Sequence, residues 1–327
     1  MTRRLTIAHD IFAMTRPFRI SRGSRSQAEV VTVTIEQDGV VGWGECTPYP
    51  RYGESIASTM AAIDGCREMI ERGGDRQALR ALLPAGAARN AIDCALWDLE
   101  ARLGNTTVAS LAGLSPMAPI VTGITISIDT PEAMATEARS LADVPLLKIK
   151  VDGDDPMARI NAVRAAAPTP RLIVDPNESW SVEQLIALQD ALAATRVDLL
   201  EQPILAGSSE ALSGLARKVP ICADEAAHAA ADIAGLVGRY DYVNLKLDKT
   251  GGLTEALVMA QLAREAGLGL MVGCMLSSSL AIAPAALLAQ GASFTDLDGP
   301  YLFEKDREGG FRIDGGYLIP TSPCFWG

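Results

Sequence analysis

The sequence predicts an α/β barrel preceded by a small α+β domain, and three observations support this fold class. From about residue 120 onward, short apolar runs alternate strictly with helical stretches, as in parallel strands joined by helices. Charged landmarks at the ends of successive runs lie 22 to 27 residues apart, about the length of one strand plus one helix. Eight such runs indicate a closed barrel rather than an open sheet. The 327 residues are enough to bury a core of this size.

The first hundred or so residues have the pattern of the smaller domain. The run EVVTVTIEQDG alternates, turns at Asp38-Gly39 and continues into VVGWGECTPYP, which predicts a β-hairpin. Two stretches with helical spacing follow, SIASTMAAIDGCREMIER and AARNAIDCALWDLEARLG, and the second ends at Gly104. We therefore predict an α+β domain over 1–115, a barrel over 116–300, and a tail over 301–327 that packs back on the first domain.

The barrel strands are predicted from eight apolar runs. In chain order they are IVTGITISI, LLKIKV, RLIVD, VDLLEQ, PICADE, YVNLKL, LGLMVGCM and SFTDLD. The second run is unusual, because Lys148 and Lys150 interrupt it. Residues two apart point to the same side of a strand, so both ammonium groups share one face of an otherwise apolar element. Burying these charges without partners would cost roughly several kcal/mol or more, so we expect both lysines to have partners.

Acidic and basic residues stand at the ends of most of these strands, where the active sites of such barrels lie. In chain order they are Lys148, Lys150, Asp175, Glu201, Asp224, Lys246, Asp296 and Asp298. A single strand-end charge is usually an exposed rim residue. A whole set at successive strand ends is harder to explain in that way, so we predict a functional site.

The spacing of this set indicates metal-assisted proton transfer. Asp175, Glu201 and Asp224 follow three adjacent strands, and carboxylates grouped in this way are suitable ligands for Mg²⁺. Strands two and six lie on opposite walls of an eight-stranded barrel, so Lys150 and Lys246 would flank a bound substrate. Two bases on opposite faces of one carbon can invert it, as in enolase-type sites that combine a lysine base with Mg²⁺. A neighbouring ammonium and the cation would lower the pKa of such a base.

Composition excludes several other classes of function. The net charge of −11 gives an acidic protein that repels phosphate backbones, so nucleic acid is not an expected partner. No apolar run reaches the roughly 18 uninterrupted residues of a membrane span, and no signal peptide is recognised. The six cysteines form no CxxC pair, and two histidines are too few for a histidine-rich metal site. We therefore expect free thiols, no membrane association and a cytoplasmic location.

The motifs at these positions resemble the enolase superfamily, specifically its muconate-lactonizing subgroup. The shared motifs are KIK, DPNESW, LEQP, ADE and NLKLDKTGG, and the resemblance covers essentially the whole chain. It implies a modified TIM barrel, (β/α)7β, with an N-terminal α+β capping domain. Within the subgroup the chain is most similar to dipeptide epimerases, because the pair Asp296 and Asp298 is similar to their site for the substrate ammonium group. Two acids at i and i+2 also share a face and form a cation site.

The resemblance implies a role for each residue of the set. Asp175, Glu201 and Asp224 are expected to bind one Mg²⁺ per subunit, with Mn²⁺ as an alternative. Lys150 and Lys246 are the expected acid/base catalysts, while Lys148 helps to hold the substrate carboxylate and tunes Lys150. The first capping loop, in RGSRSQAEV, should supply an arginine for a glutamyl carboxylate; Arg25 is the first choice and Arg22 the second. Relatives often have a glutamate near Ser277, which this chain lacks.

Three hypotheses follow from these residues. The first is a Mg²⁺-dependent epimerase of L-Ala-L/D-Glu, acting on the C-terminal residue and serving the reuse of cell-wall peptides. The second is another reaction of the superfamily, namely N-acylamino acid racemisation, cycloisomerisation or dehydration, against which the pair Asp296 and Asp298 argues. The third is a barrel that only binds metal or peptide, which would have no reason to keep lysines on both walls. We also expect a homo-oligomer, since barrels with capping domains commonly associate.

Overall fold

The computed structural model describes residues 3–322 and 325–327, so Cys324 lies outside the described residues. The chain begins with a three-stranded antiparallel sheet. Its strands are β1 (Arg3–Ile20), β2 (Gly23–Gln37) and β3 (Val40–Cys46). The predicted hairpin is confirmed as β2 and β3, which are joined at Asp38-Gly39. Strand β1 was not predicted; it pairs with β2 over most of its length, with an irregularity between Ala13 and Phe18.

Helices cover one face of this sheet. They are α1 (Ile56–Gly65), α2 (Arg67–Glu71), α3 (Arg76–Leu82) and α4 (Ala87–Leu103), and the following α5 (Val108–Ala112) packs into the barrel core through Val108 and Ala109. Helix α4 is the buried one and packs directly on β3. Two glycines allow this close approach, because a Cβ on Gly42 or Gly44 would lie 2.3 or 2.1 Å from a backbone oxygen of α4. The predicted first helix is divided into α1 and α2 at Cys66.

The predicted barrel is confirmed as an eight-stranded parallel sheet. Its strands are β5 (Ile124–Ile126), β6 (Leu146–Lys150), β7 (Arg171–Asp175), β8 (Leu199–Glu201), β9 (Ile221–Ala223), β10 (Tyr242–Leu245), β11 (Gly269–Gly273) and β12 (Phe294–Asp296). Its helices are α6 (Pro131–Ser140), α7 (Pro156–Ala166), α8 (Val182–Ala194), α9 (Ile233–Leu236), α10 (Leu247–Thr250), α11 (Leu253–Glu265) and α12 (Ser279–Ala289). A 3-10 segment, Ala206–Leu212, connects β8 to β9.

The ring is closed between its first and last strands by hydrogen bonds. The amide of Gly123 donates to Thr295 O at 2.7 Å, and the amide of Leu297 donates to Thr122 Oγ1 at 2.8 Å. The prediction of one continuous strand over 120–128 was wrong at this point. Residues Ile120–Val121 form a separate strand, β4, because they leave the barrel to pair with the tail.

The tail forms a hairpin of β13 (Phe311–Asp314) and β14 (Tyr317–Pro320), which pairs with β4. It also contacts the N-terminal sheet, since Trp326 Nε1 donates to Trp43 O at 2.8 Å. The boundaries at residues 115 and 300 stay predictions. Within the described residues, no helix combines the length and the apolar character that crossing a bilayer requires.

The barrel interior is layered. Its N-terminal end is filled by six buried side chains, one from each of six strands: Leu146, Ile173, Leu199, Cys222, Met271 and Phe294. Because alternate residues of a strand share a face, the inward position two residues later on five of these strands is charged: Lys148, Asp175, Glu201, Asp224 and Asp296. The same alternation that packs hydrocarbon at one end therefore directs charge into the other end.

Candidate active site

Lys148 lies at the centre of the charged layer and is 1% exposed. Its Nζ lies 2.6 Å from Glu201 Oε2, 2.7 Å from Asp296 Oδ2 and 3.1 Å from Asp175 Oδ2. Burial alone lowers the pKa of Lys148, but the carboxylates of Asp296, Glu201 and Asp175 outweigh it and hold this pKa well above its usual range. The partners expected for a lysine inside an apolar strand are thus three carboxylates.

Lys150 and Lys246 stand on opposite walls of the barrel, on β6 and directly after β10. Lys150 Nζ donates to Asp175 Oδ2 at 2.6 Å, and Lys246 Nζ donates to Asp224 Oδ2 at 2.6 Å. Burial lowers the pKa of Lys246, but Asp224 and Glu201 outweigh it and raise this pKa well above its usual range. The expected lowering of a lysine pKa therefore does not hold for Lys246 while Asp224 is its partner.

A fourth lysine belongs to the same cluster and was missed in the sequence. Lys249 follows the strand on α10, and its Nζ donates to Asp224 Oδ1 at 2.7 Å, Asp224 O at 2.6 Å and Asn244 O at 3.0 Å. The segment DKTGG is typical of an exposed turn, but the short helix turns Lys249 back under the strand ends. No pattern in the sequence indicated this burial.

The three carboxylates on β7, β8 and β9 are crowded together. Burial raises the pKa of Asp175 and Asp224, but neighbouring lysines outweigh it, so that of Asp175 falls to about 2 and that of Asp224 falls well below its usual range. For Glu201, burial and the charge of Asp175 raise the pKa to about 7. The neighbouring lysines therefore do not fully offset the burial and the negative charge around Glu201.

A divalent cation fits the chemistry of this donor set. Hard carboxylate oxygens from adjacent strand ends suit Mg²⁺, and a cation would favour the charged form of Glu201. Within residues 3–322 and 325–327, no group of three or more His, Cys, Asp or Glu side chains already converges on one metal position. Ammonium groups hold the oxygens instead, so Asp175, Glu201 and Asp224 would have to exchange lysine contacts for a metal.

The pair Asp296 and Asp298 lies on the last barrel strand and just beyond it. Asp296 Oδ2 accepts from Lys148 at 2.7 Å, and Asp298 Oδ2 accepts from the amide of Thr125 at 2.7 Å. Burial and the charge of Asp296 raise the pKa of Asp298 to about 7. Among the described residues Asp298 has no cationic hydrogen-bond partner, whereas Asp296 is paired with Lys148.

A cavity of about 460 Å³ opens above this charged layer. Barrel residues such as Lys150, Lys246 and Asp298 line its floor, and two segments of the N-terminal domain line its other side. We call residues 18–25, the tip of the β1–β2 hairpin, the first cover segment. Residues 47–52, which follow β3, are the second cover segment. A pocket of this size, covered by these two segments, can hold a small polar ligand.

The two candidate arginines of the first cover segment have different surroundings. Arg22 donates to Glu225 Oε1 at 2.7 Å and to Asn177 O at 2.9 Å, so its guanidinium is already used. Arg25 also lines the cavity, lies 5.9 Å from the ring centroid of Tyr49, and has no ion pair among the described residues. Arg25 is thus the arginine that remains available for a ligand anion.

Ser277 lies in the region where the relatives often have a glutamate. Its neighbour Ser278 is bonded to Glu45, a fully buried carboxylate of β3 that accepts from the Ser278 amide at 2.8 Å and from the Ser278 hydroxyl. Arg307 of the tail also donates to Glu45 Oε2, at 2.8 Å. This region therefore joins the N-terminal domain to the barrel.

Two family models match the chain and together cover most of it. Residues 2–113 match the N-terminal domain of mandelate racemase / muconate lactonizing enzyme, and residues 133–323 match the enolase C-terminal domain-like family. The chain is 47% identical over 318 residues to an L-Ala-D/L-Glu epimerase of Escherichia coli, covering 97% of this chain and 99% of that one. It is 43% identical over 300 residues to an N-acetyl-D-glutamate racemase of Pseudoalteromonas, with coverages of 91% and 95%.

Solved structures give the same result. An enolase family member from Agrobacterium tumefaciens, with homology to dipeptide epimerases and with bound sodium and L-Ala-L-Glu, has a TM-score of 0.97 at 47% identity and covers 99% and 100% of the two chains. A dipeptide epimerase from Enterococcus faecalis in complex with Mg and L-Leu-L-Tyr has a TM-score of 0.91 at 29% identity, covering 99% of each chain. This chain therefore belongs to the mandelate racemase / muconate lactonizing enzyme family of the enolase superfamily.

Proposed function

We propose that this protein is a Mg²⁺-dependent dipeptide epimerase that inverts the α-carbon of the C-terminal residue of L-Ala-L/D-Glu. The single observation that carries the proposal is that Lys150 and Lys246, on opposite walls of the barrel, line one cavity together with Asp296 and Asp298. Two-base inversion needs the first pair, and recognition of a free ammonium group needs the second. The 47% identity to an L-Ala-D/L-Glu epimerase supports the same assignment.

Asp175, Glu201 and Asp224 would hold the cation. Their oxygens are of the kind that Mg²⁺ prefers, and the raised pKa of Glu201 indicates a place where added positive charge is favourable. A bound Mg²⁺ would supply Lewis-acid stabilisation of the negative charge that develops on the substrate carboxylate. The metal complexes of related epimerases support a cation here, and we propose one per subunit.

The lysines would move the proton. One of Lys150 and Lys246 takes the α-proton from its own side of the substrate, and the other returns a proton from the opposite side. Each must be neutral when it acts as base, so its present partner, Asp175 or Asp224, must give up the ammonium contact. Lys148, held by Glu201 and Asp296, would donate to the substrate carboxylate and keep positive charge beside Lys150.

The ends of the dipeptide would be held by groups that lack a full partner. Asp298, together with Asp296, would accept hydrogen bonds from the N-terminal ammonium group. Arg25 would pair with the glutamyl side chain, since Arg22 is held by Glu225.

The five cysteines among the described residues are free thiols, which supports the expected cytoplasmic location. A homo-oligomer is also proposed, and light scattering of the purified protein tests it.

Racemisation of N-acylglutamate is a second candidate reaction. Asp296 is already paired with Lys148, and protonated Asp298 could donate a hydrogen bond to an acyl oxygen. The relative at 43% identity is an N-acetyl-D-glutamate racemase. We place this reaction second, because an acylated nitrogen is uncharged. It therefore cannot form an ion pair with Asp296 or with ionised Asp298.

Proton NMR in D₂O with purified protein and Mg²⁺ tests the proposal. L-Ala-L-Glu should lose its glutamyl α-proton signal while signals of L-Ala-D-Glu grow, and EDTA should stop both changes. N-acetyl-L-glutamate is the matched comparison, because it has the same reacting carbon without the ammonium group. Faster exchange of N-acetylglutamate would favour the second reaction, and no exchange of either would refute proton abstraction from glutamyl substrates.

A further inference from the structure

Glu178 is a buried carboxylate that the proposed reaction does not use. It lies in the segment DPNESW, three residues after Asp175, and its side chain is 4% exposed. Asn177 and Glu178 both have positive φ, of 47° and 67°, so the chain turns sharply here. The amide of Asn177 donates to Asp175 Oδ1 at 2.9 Å, and that of Glu178 donates to Gln202 O at 2.8 Å. The turn is thereby fixed to the barrel rim.

Both cover segments are attached to this turn. From the second cover segment, Arg51 Nε donates to Glu178 Oε2 at 3.0 Å and Arg51 Nη2 donates to Oε1 at 2.9 Å, a bidentate pair. From the first cover segment, Arg22 Nη1 lies 3.4 Å from Glu178 Oε2 and donates to Asn177 O at 2.9 Å. Ser21 Oγ also donates to Asn177 O, at 3.3 Å. One short turn of the barrel therefore receives donors from both segments.

Glu178 is the member of this group whose loss affects the most contacts. Besides the two arginines, its Oε1 accepts from the amide of Ala206 at 2.9 Å, so the carboxylate is held from the barrel side as well. Arg22 has a second anchor in Glu225, whereas Arg51 has no other ion pair among the described residues. The second segment also contacts the barrel through Thr47, which donates to Asp248 Oδ1 at 3.0 Å and to Leu276 O at 3.1 Å, and Tyr52 lies edge-on to His228 at 4.4 Å between centroids.

We propose that Glu178 is a positioning residue that fastens both cover segments over the cavity before substrate arrives. It touches no reacting atom and acts through Arg51 and Arg22. The consequence for substrate affinity rests on the proposed function, whereas the fastening itself does not. When only a fraction of the molecules has closed segments, the apparent affinity for the ligand decreases in proportion to that fraction. Loss of the Glu178 charge should therefore raise KM more than it lowers the reaction rate of the bound complex.

The test compares Glu178→Gln with a matched control, Glu100→Gln. Glu100 forms the same kind of bidentate pair, with Arg76 Nε at 3.1 Å and Arg76 Nη2 at 2.6 Å, but within the N-terminal domain between α3 and α4. Both variants keep side-chain size and remove one charge. Hydrogen–deuterium exchange with Mg²⁺ and without substrate measures peptides that cover 18–25 and 47–52. Kinetics with L-Ala-L-Glu then gives kcat and KM.

Glu178→Gln should speed exchange in both segments by about tenfold, the scale for losing a charge-assisted pair, while Glu100→Gln leaves them unchanged. KM should rise about tenfold with kcat changed less than about threefold. Unchanged exchange in both segments, or equal changes in the two variants, refutes the fastening role. Should Glu178→Gln fail to fold, Arg51→Met tests the same point. In that variant, an exchange rate over 47–52 equal to that of the wild type also refutes the fastening role. Accelerated exchange in a protein without epimerase activity would overturn the proposed reaction but not the role of Glu178.

Discussion

Replacing Asp298 by asparagine tests the proposed ammonium site most directly. Asp298 Oδ2 accepts from the amide of Thr125 at 2.7 Å, and the amide oxygen of asparagine can keep this hydrogen bond. The substitution therefore removes one negative charge with little change in shape. A hydrogen bond to a charged group contributes about 1.5–3 kcal/mol, so KM for L-Ala-L-Glu should rise roughly 10- to 150-fold. The metal affinity should not change, because Asp298 is not among the proposed ligands.

The pH dependence of KM gives a second, sharper result. Burial and Asp296 raise the pKa of Asp298 to about 7, and an ammonium group binds the ionised form. As the pH falls below 7, the ionised fraction of the free site decreases, so KM should increase. Between pH 7.5 and 5.5 the ionised fraction falls roughly 20- to 30-fold for a group with this pKa, and KM should rise by a similar factor. In Asp298→Asn this dependence should be lost.

The assay is steady-state epimerisation at saturating Mg²⁺, which as a ligand of Glu201 should keep this carboxylate ionised throughout the range. The range stays below the pKa of about 8 of the dipeptide amino group, so the substrate keeps its ammonium group. N-acetylglutamate, if it is a substrate, is the control, since its KM should not depend on ionised Asp298. Wild-type KM and wild-type pH dependence in Asp298→Asn would refute the ammonium site.

Three further substitutions test other parts of the structure. Lys246→Ala should abolish epimerisation but keep α-proton exchange of one enantiomer through Lys150, as NMR in D₂O can show; full epimerisation would exclude two-base inversion. Arg25→Met should raise KM for L-Ala-L-Glu at least about tenfold and for L-Ala-L-Leu less than about threefold, and equal effects would contradict its contact with the glutamyl carboxylate. Asp248 is fully enclosed, and burial raises its pKa to about 7, so the native state binds a proton that the unfolded state releases between about pH 4 and 7. Stability from this group is present at low pH and lost as pH rises through 7. Asp248→Asn should therefore stabilise the protein at pH 8 by about 1–3 kcal/mol and have less effect at pH 5, as urea unfolding at both pH values measures.

The barrel and its charged layer could be predicted because one rule determines both. Alternation along a strand places Lys148 and Lys150 on the face of Leu146, so an apolar layer and a charged layer follow from the same register. The spacing of strand ends then orders the acids and bases around the ring. These are local properties, and a single sequence contains them.

Features that depend on distant contacts could not be predicted. Strand β1 is largely exposed, with Ile11 56% exposed, so its alternation is weak and only its pairing with β2 defines it. The distinction between Arg22 and Arg25 depends on Glu225, some two hundred residues further along the chain. The burial of Lys249 depends on how α10 turns under the strand ends. Each of these results from tertiary packing, which sequence propensity does not specify.

The charges around the cavity also distinguish the two candidate substrates. The charged layer, the two cover segments and the carboxylates paired with their arginines contribute seven acidic and seven basic side chains, namely Asp175, Glu178, Glu201, Asp224, Glu225, Asp296 and Asp298 with Lys148, Lys150, Lys246, Lys249, Arg22, Arg25 and Arg51. A divalent cation adds two positive charges, a lysine that acts as base gives one up, and L-Ala-Glu brings one net negative charge. With the dipeptide the reacting assembly is therefore neutral. N-acylglutamate carries two negative charges and leaves one in excess, which is unfavourable in a site of low dielectric constant. With Asp298 ionised, this difference favours a dipeptide with a free ammonium group, whereas protonation of Asp298 would make the N-acylglutamate assembly neutral.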